Sequence, residues 1–503
     1  MRIPPGVTEG DFASAVRRFE QIVGKEWVFT SDDDLNLYRD AYSPLFGEPE
    51  ERTAAGAVAP DRVEQVQEVV KVANQYKIPI YPVSTGRNLG YGGAAPNYSG
   101  SVVLDLKRMN RILDVSERNA SCLVEPGVSY FDLVRHIEEK GYKLLVDVPD
   151  PGWGSPIGNA LDHGAGYTMA LYRNHFDAHC GMEVVLANGD LLRTGMGALP
   201  GSQTWQQFKF GVGPWIDGIF SQSNFGVVTK MGFWLMPMPD AYLSGTVSVS
   251  KREDLIPLVD TLTYVENVGG ATGMPNLGPS PGGGWSCSMA FYGPAKAVAA
   301  QWEFAKEKFA AAIPGAAFRD GELLRFPLTA EQRQRVHKPE FGIPSLEMFS
   351  IGARSETNPT PSSGHMWFSP IIPRTGEAVF EAQRVLGDAV RDLGSITGPF
   401  IIPTMYWLRA FVLIIGLPIT RNVETNKKNR AGLTRLIALA AEHGWGEYRT
   451  PPVFQDAVMG AYSFNNHALL RFHETIKDAV DPNGILAAGR YGIWPKHLRG
   501  TRR

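Results

Sequence analysis

Residues 82–93, Pro-Val-Ser-Thr-Gly-Arg-Asn-Leu-Gly-Tyr-Gly-Gly, constrain this chain more than any other stretch. They stand between two short apolar runs, Ile78 to Val83 and Ser101 to Leu106, that read as strands. Four glycines fall within the loop, and glycine lets backbone N–H groups turn inward while a large anion comes close. Such a loop suits a diphosphate; on composition alone it fits a wide surface turn equally well. Its spacing is neither the GxGxxG that opens a dinucleotide-binding helix nor the GxxxxGK of a nucleoside triphosphate loop. A phosphate held here belongs to some other architecture.

The chain has 503 residues, which implies two or three domains. A net charge of −3 offers no basic field to nucleic acid or to an anionic membrane. Cys122, Cys180 and Cys287 are far apart and form no CxxC motif, so the expected compartment is a reducing cytoplasm. The first residues lack the apolar core of a signal peptide, and the longest apolar run, Phe411 to Ile419, is too short to span a bilayer.

Periodicity divides the chain by texture. Helices are expected over 11–24, 61–76 and 129–140, the last with Ser129 as its N-cap. Strands are expected over Ser121–Glu125, Leu144–Val148 and Ser223–Met236. A hairpin is expected at Asn188-Gly189, between Met182–Ala187 and Asp190–Thr194. A second glycine-rich stretch fills 148–159. After Pro239, long helical patterns (254–266, 294–312, 374–393, 424–443) alternate with strand-like runs at Tyr242–Val249, His365–Ile372 and Phe400–Ile415. That alternation suggests helices covering one sheet. The last fifty residues, with a helix near 464–478, return to the first texture. The expected layout is a nucleotide-binding domain built from both chain ends (1–239 and 456–503) around an inserted cap (240–455). Loops 270–285 and 354–363 read as irregular.

Several long stretches together carry a family resemblance: GRNLGYGGAAP at 86–96, VEPGVSY at 124–130, DVPDPGWGSPIGN at 147–159, HCGMEVVLANGDLLRTGMGALPG at 179–201, DGIFSQSNFGVVTKMGFWLMP at 217–237, GHMWFSPI at 364–371, GWGEYRT at 444–450 and DPNGILAAGRYGIWP at 481–495. The chain resembles the vanillyl-alcohol oxidase and p-cresol methylhydroxylase family of flavoproteins, most closely its eugenol-oxidase-like members. The resemblance implies an α+β fold of two domains, a FAD-binding domain of the p-cresol methylhydroxylase type and a substrate-binding α+β cap. It also implies self-association as a homodimer or higher homo-oligomer.

The resemblance further implies that FAD lies with its pyrophosphate on Ser84, Thr85, Gly86, Arg87, Asn88, Leu89 and Gly90. Further contacts, through the backbone, would come from Pro126, Gly127, Gly154, Ser155, Gly158, Asn159, Gly181, Glu183, Val185, Gly226 and Val228, and Pro149 would also touch the cofactor. Uncharged backbone donors can hold a diphosphate without a metal. Arg490 would face the flavin ring, where a cation stabilises the anionic reduced form.

Family members oxidise para-substituted phenols, here 4-hydroxybenzyl alcohols and 4-alkyl- or 4-allylphenols. Hydride passes from the benzylic carbon to flavin N5 through a p-quinone methide, and dioxygen as acceptor gives hydrogen peroxide. Tyr91, Tyr448 and Arg449 match the residues around the phenolate oxygen, where two hydroxyl donors and a fixed cation would lower the substrate's pKa. Asp150 matches the active-site aspartate that handles the quinone methide. Read without the resemblance, Tyr91 could pack its loop, Arg449 could be a surface cation and Asp150 a turn residue.

His365 matches the position that, in the oxidase branch, links FAD covalently through the flavin 8α carbon; the methylhydroxylase branch has Tyr there. In vanillyl-alcohol oxidase an N-terminal histidine helps to form that bond, and the stretch Ser43-Pro44-Leu45-Phe46 has none. His175 and His179 lie four apart but lack the HExxH pattern, so no metal is expected. Cys180 reads as a small core residue. Two other functions fit the same fold: a dehydrogenase or hydroxylase that passes electrons to a cytochrome c, and a non-catalytic flavin-binding protein.

Overall fold

The computed structural model describes residues 2–40, 42–88, 90–280, 282–347, 364–395, 397–403 and 409–500. Two large sheets lie in the first half of the chain. One has four strands in the order Val28–Phe29, Gly56–Val58, Val102–Asp105, Ile80–Val83, with the last three parallel. Parallel strands buried on both faces read as unbroken apolar runs, which is how 78–83 and 101–106 stood out in the sequence. Helices Glu9–Val23 and Val63–Tyr76 set Phe12, Phe19, Val66, Val69 and Val70 against this sheet. The glycine-rich loop leaves Val83 and returns to Val102 with no crossover helix among its described residues.

The second sheet is antiparallel, in the order Ile112–Ser116, Ser121–Val124, Val227–Trp234, His179–Val185, Leu191–Arg193. The hairpin expected at Asn188-Gly189 is present, with Gly189 at φ +87° and Glu183 opposite Arg193. Ser129 caps helix Tyr130–Lys140 in a reciprocal arrangement with Asp132. Of the strand expected over Leu144–Val148, only Leu144–Leu145 forms, pairing with Met236–Pro237. The chain then diverts toward the cavity described below.

The C-terminal segment rejoins this half. Ile80 donates its N–H to the Ile485 carbonyl (2.7 Å), and Ala487 donates to the Ile80 carbonyl (2.8 Å). Lys477, fully buried, donates to the carbonyls of Asn224 (2.8 Å) and Leu486 (2.7 Å) and to Asp481 (2.6 Å). An ammonium has three donors, and all three are used here to join the antiparallel sheet to the returning chain.

Between these pieces lies a nine-stranded sheet. Ala241–Val249 pairs with Trp285–Gly293, and Gly364–Phe368 and Thr397–Pro403 flank Ala410–Ile419. Helices Leu255–Asn267, Ala295–Ala312, Gly376–Val390 and Val423–Glu442 share one apolar core with it. Period-two alternation assigns the faces: Leu243, Val247 and Val249 join the helices, whereas Tyr242 packs with Tyr292, Leu324 and Phe341 against Met236. Within 270–285, expected as loop, Asn276–Pro279 is a strand paired with 285–288; its Asn-Leu-Gly-Pro sequence has no strand pattern and takes its conformation from its neighbours. The other irregular loop, 354–363, lies outside the described residues. Among the described residues no helix is long and apolar enough to cross a membrane.

Candidate active site

Where the nine-stranded sheet meets the first half, the chain encloses a cavity of about 900 Å³. Of the residues expected from the sequence to touch cofactor or substrate, Ser84, Thr85, Gly86, Arg87, Asn88, Tyr91, Pro126, Pro149, Asp150, Gly154, Ser155, Gly158, Asn159, Gly226, Val228, His365, Tyr448, Arg449 and Arg490 line it. Leu89 lies outside the described residues. Gly90, at φ +78°, lets the loop pass against His365 and Trp367, whose rings a Cβ there would strike.

Four residues expected to reach the cofactor do not line the cavity. Gly127 does not line the cavity; a Cβ there would run into the Lys107 carbonyl, so its role is close backbone packing. Gly181, Glu183 and Val185 lie on a fully buried strand and do not line it either. Gly181 makes room for the Trp205 indole. Glu183 is held by Arg193 (2.9 Å) and Lys230 (2.9 Å), and Val185 belongs to the core under the parallel sheet.

His365 stands on the strand Gly364–Phe368 of the nine-stranded sheet, 1% exposed, and neither ring nitrogen has a hydrogen-bond partner among the described residues. Burial pulls its pKa down to about 3, so the imidazole is neutral. Its ring is 4.2 Å from that of Trp367 and 4.9 Å, edge-on, from that of Tyr42. The stretch Ser43–Phe46, which lacks the histidine sought there, directly follows Tyr42.

At another part of the cavity wall the three phenol-binding candidates converge. The Arg449 guanidinium lies 4.2 Å over the Tyr91 ring. The Tyr91 hydroxyl shares a hydrogen bond of 2.6 Å with Ser369 Oγ and also interacts with Tyr448. Burial raises the pKa of both tyrosines, only partly offset by Arg449, so both remain hydroxyl donors.

The centre of this cluster is Asp162, which the sequence reading missed. It accepts from Arg449 Nε (2.8 Å), Arg490 (2.6 Å), the Tyr491 hydroxyl (2.6 Å) and Asn88 Nδ2 (3.1 Å). Burial alone would raise its pKa; Arg449, Arg490 and the Tyr491 hydroxyl outweigh burial and hold the carboxyl below its ordinary range. Burial opposes the charge on Arg449 and Arg490 too, and Asp162 with the neighbouring phenols more than offsets it. One buried carboxylate therefore keeps two cations in place, one from each candidate site.

Beyond this cluster the wall includes Asp150, Tyr167, His337 and Glu340. The Tyr167 and His337 rings meet edge to face at 5.5 Å. Glu340 accepts from the Tyr242 hydroxyl (2.6 Å) and pairs with His337 Nδ1 (3.1 Å). None of Tyr167, His337 or Glu340 sits in a stretch that marks chemistry by pattern.

His175 and His179 have separate partners. His175 bonds Asp147 (3.0 Å) and the Tyr130 hydroxyl (2.9 Å); His179 bonds Asp217 (3.0 Å). Cys180 is buried, its thiol pKa pushed up to about 12 by burial.

Glu447, next to Tyr448 in the chain, is buried, and burial pushes its pKa up to about 8. Because that is above the unfolded value near ~4.3, the folded state binds the extra proton. The stability this proton contributes is complete below the unfolded pKa and is lost as pH rises through about 8. Glu447→Gln is therefore expected to raise the unfolding temperature relative to wild type at pH 9 and to leave it nearly unchanged at pH 5. Parallel shifts at both values would contradict this.

A model of the FAD-binding domain family matches residues 54–195. The chain is 35% identical to the 4-cresol dehydrogenase (hydroxylating) flavoprotein subunit of Pseudomonas putida, over 98% of this chain and 97% of that one. It is 30% identical to 1'-carboxy-chondrochloren decarboxylase of Chondromyces crocatus, over 87% and 91%. Among solved structures it is similar to 4-ethylphenol oxidase from Gulosibacter chungangensis in complex with isoeugenol (34% identity, 99% and 100% covered, TM-score 0.88). It is also similar to p-cresol methylhydroxylase with substrate bound (33%, 98% and 99%, TM-score 0.86). Fold and cavity together define a FAD-dependent oxidoreductase. The chain belongs to the p-cresol methylhydroxylase family of flavoproteins.

Proposed function

We propose that this protein oxidises para-substituted phenols (4-hydroxybenzyl alcohols, 4-alkyl- and 4-allylphenols) at the benzylic carbon, with dioxygen as acceptor. The observation that carries this reading is the Arg449–Tyr91–Tyr448 cluster on the wall of the cavity that also holds Asp150. The names of the similar proteins, a 4-cresol dehydrogenase and a 4-ethylphenol oxidase, support the substrate class.

The residues present fit FAD. The loop 84–93 brings Gly86, Gly90 and Gly92 to positive φ, and a histidine whose two ring nitrogens have no partner among the described residues stands on the cavity wall. Bound FAD supplies the two-electron acceptor, and we assign its diphosphate to Ser84–Asn88 and its covalent link to His365. The chain's own side chains do the rest. Tyr91 and Tyr448 donate to the phenol oxygen while the Arg449 charge favours the phenolate, which makes the benzylic C–H bond easier to break as hydride. The oxidised substrate is then a neutral quinone methide. Asp150 takes a proton from a water that adds to it or, with an alcohol substrate, from the hydroxyl that becomes a carbonyl. The unit at 240–455 closes the cavity over the substrate.

The test is aerobic turnover of 4-ethylphenol and vanillyl alcohol by the holoenzyme with peroxide detection. Peroxide equimolar with substrate consumed is expected. A second reading, a dehydrogenase serving a cytochrome, is favoured by the name of the Pseudomonas relative; fast turnover with an artificial acceptor and no peroxide would select it. A flavin that does not bleach on anaerobic mixing with either phenol would exclude both. The assignment of His365 predicts that acid-precipitated protein stays yellow and that His365→Ala gives a colourless pellet. A colourless wild-type pellet would rule the bond out.

A further inference from the structure

Behind the cavity wall lies a set of polar groups that the chemistry above does not use, and it ends on a residue that reaches the cavity. Asn159 stands on the short helix Pro156–Leu161 and lines the cavity. Its side-chain oxygen is 2.5 Å from His175 Nδ1. His175 lies outside the cavity, 4% exposed, with Asp147 Oδ1 3.0 Å from its Nε2. Asp147 is itself anchored, because its Oδ2 accepts from the N–H of Thr168 (2.8 Å) and from the Thr168 hydroxyl. Short contacts thus run unbroken from Thr168 through Asp147 and His175 to the Asn159 amide.

The backbone brings these groups together. Asn174 forms an antiparallel bridge with Ala165, and the N–H of His175 donates to the Gly164 carbonyl (3.3 Å). Gly164 donates in turn to the backbone carbonyl of Asn159 (2.8 Å). It also packs against the Asn159 side chain; a Cβ there would strike the amide carbon, oxygen and nitrogen together. The amide is therefore held against Gly164 and, through its oxygen, by His175. A side-chain amide has one acceptor oxygen and one NH2 donor. With the oxygen turned to His175, the group left for the cavity is Nδ2, which makes no hydrogen bond among the described residues.

We propose that Asp147 and His175 position Asn159 so that its NH2 group donates to an acceptor atom of bound FAD. The inference rests on the placement of FAD in this cavity. FAD presents diphosphate oxygens and ring carbonyls as acceptors, and a donor already fixed in place binds them at a lower ordering cost than a mobile one. His175 supplies that fixing. Its Nδ1–H donates to the Asn159 oxygen and its Nε2–H to Asp147; a lone pair on Nδ1 would instead meet the lone pairs of the Asn159 oxygen at 2.5 Å. The Tyr130 oxygen, 2.9 Å from Nδ1, is a longer second contact. An imidazole with hydrogens on both nitrogens is a cation, and Asp147 beside it is the counter-ion, so the buried pair is neutral overall. Asp147 and His175 are positioning residues; of the three, only Asn159 touches the cofactor.

The test reads FAD affinity, by quenching of flavin fluorescence, on the full chain carrying His365→Ala, in which no covalent link can form. Relative to that parent, Asn159→Ala and His175→Leu are each expected to weaken FAD binding about 10-fold, the scale of one lost hydrogen bond. The double variant should bind no more weakly than Asn159→Ala, because His175 acts through Asn159. His175→Asn, close to leucine in shape but with an amide that can donate from the Nδ1 position, should recover part of the loss. Asn159→Asp keeps an acceptor toward His175 and puts an oxygen where the NH2 stood, so it should bind FAD more weakly than Asn159→Ala. Losses that add in the double variant, or no recovery in His175→Asn, would overturn the positioning role. Asn159→Asp binding FAD as tightly as Asn159→Ala, or more tightly, would overturn the donor. If the His175 variants do not fold, the comparison of Asn159→Asp with Asn159→Ala decides alone. A failure of the phenol reading shows separately, as a flavin that does not bleach, and leaves these affinities as they are.

Discussion

Asp162→Asn is expected to be the most damaging conservative substitution in the molecule. Asparagine keeps the size of the side chain and removes its charge, leaving Arg449 and Arg490 buried with no carboxylate between them. Breaking a buried ion pair by removing one partner costs about 3–5 kcal/mol, and here one acid serves two cations. The pKa of Asp162 is held below the ordinary carboxylate range. The stability it contributes is therefore present above the unfolded pKa of about 3.9 and lost only as pH falls through the lower folded value. Denaturant unfolding at pH 7 should show the full loss, and the gap between variant and wild type should narrow at strongly acid pH. A loss below about 1 kcal/mol at pH 7, the scale of an exposed pair, would mean that the two arginines have other support.

Asp162 also marks where sequence reasoning stopped. The parallel strands, the helix at 63–76, the hairpin at Asn188-Gly189 and the capping of Tyr130–Lys140 were legible because each follows from local periodicity or turn chemistry. Tyr91, Asp150, Tyr448 and Arg449 were marked only by matched motifs, and all four line the cavity. Asp162 follows the second glycine-rich stretch with no pattern around it. Its partners Arg449 and Arg490 are 287 and 328 residues away, and no local spacing reports such a contact. Gly181, Glu183 and Val185 show a different limit. Their motif is as strong as the others, but its strand faces Trp205, Arg193, Lys230 and the apolar core instead of the cavity. A motif conveys that a stretch belongs to the fold; which side chains reach the cavity depends on pleat and register.

The last expectation separates cofactor binding from substrate binding. Arg449→Met should keep FAD, because the loop 84–88 and His365 are untouched, while Asp162 retains Arg490, Tyr491 and Asn88 as partners. What is lost is the permanent charge beside Tyr91. A hydrogen bond to a charged group contributes about 1.5–3 kcal/mol, so affinity for 4-ethylphenol should fall roughly 10- to 150-fold. The pH dependence should change as well. With Arg449 present, the bound phenol should ionise well below its pKa in water of about 10, and the rate of flavin reduction should be nearly flat through neutral pH. In the variant that rate should climb with pH toward the free phenol's own pKa, because ionisation then depends on solvent and not on the site. Arg449→Lys restores a charge without the planar fork and should recover part of the affinity. Anaerobic stopped-flow reduction, followed across pH on protein of verified flavin content, reads both effects at once. If affinity and pH profile match wild type while the flavin is retained, the phenolate is held by some other group and the assignment of Arg449 fails.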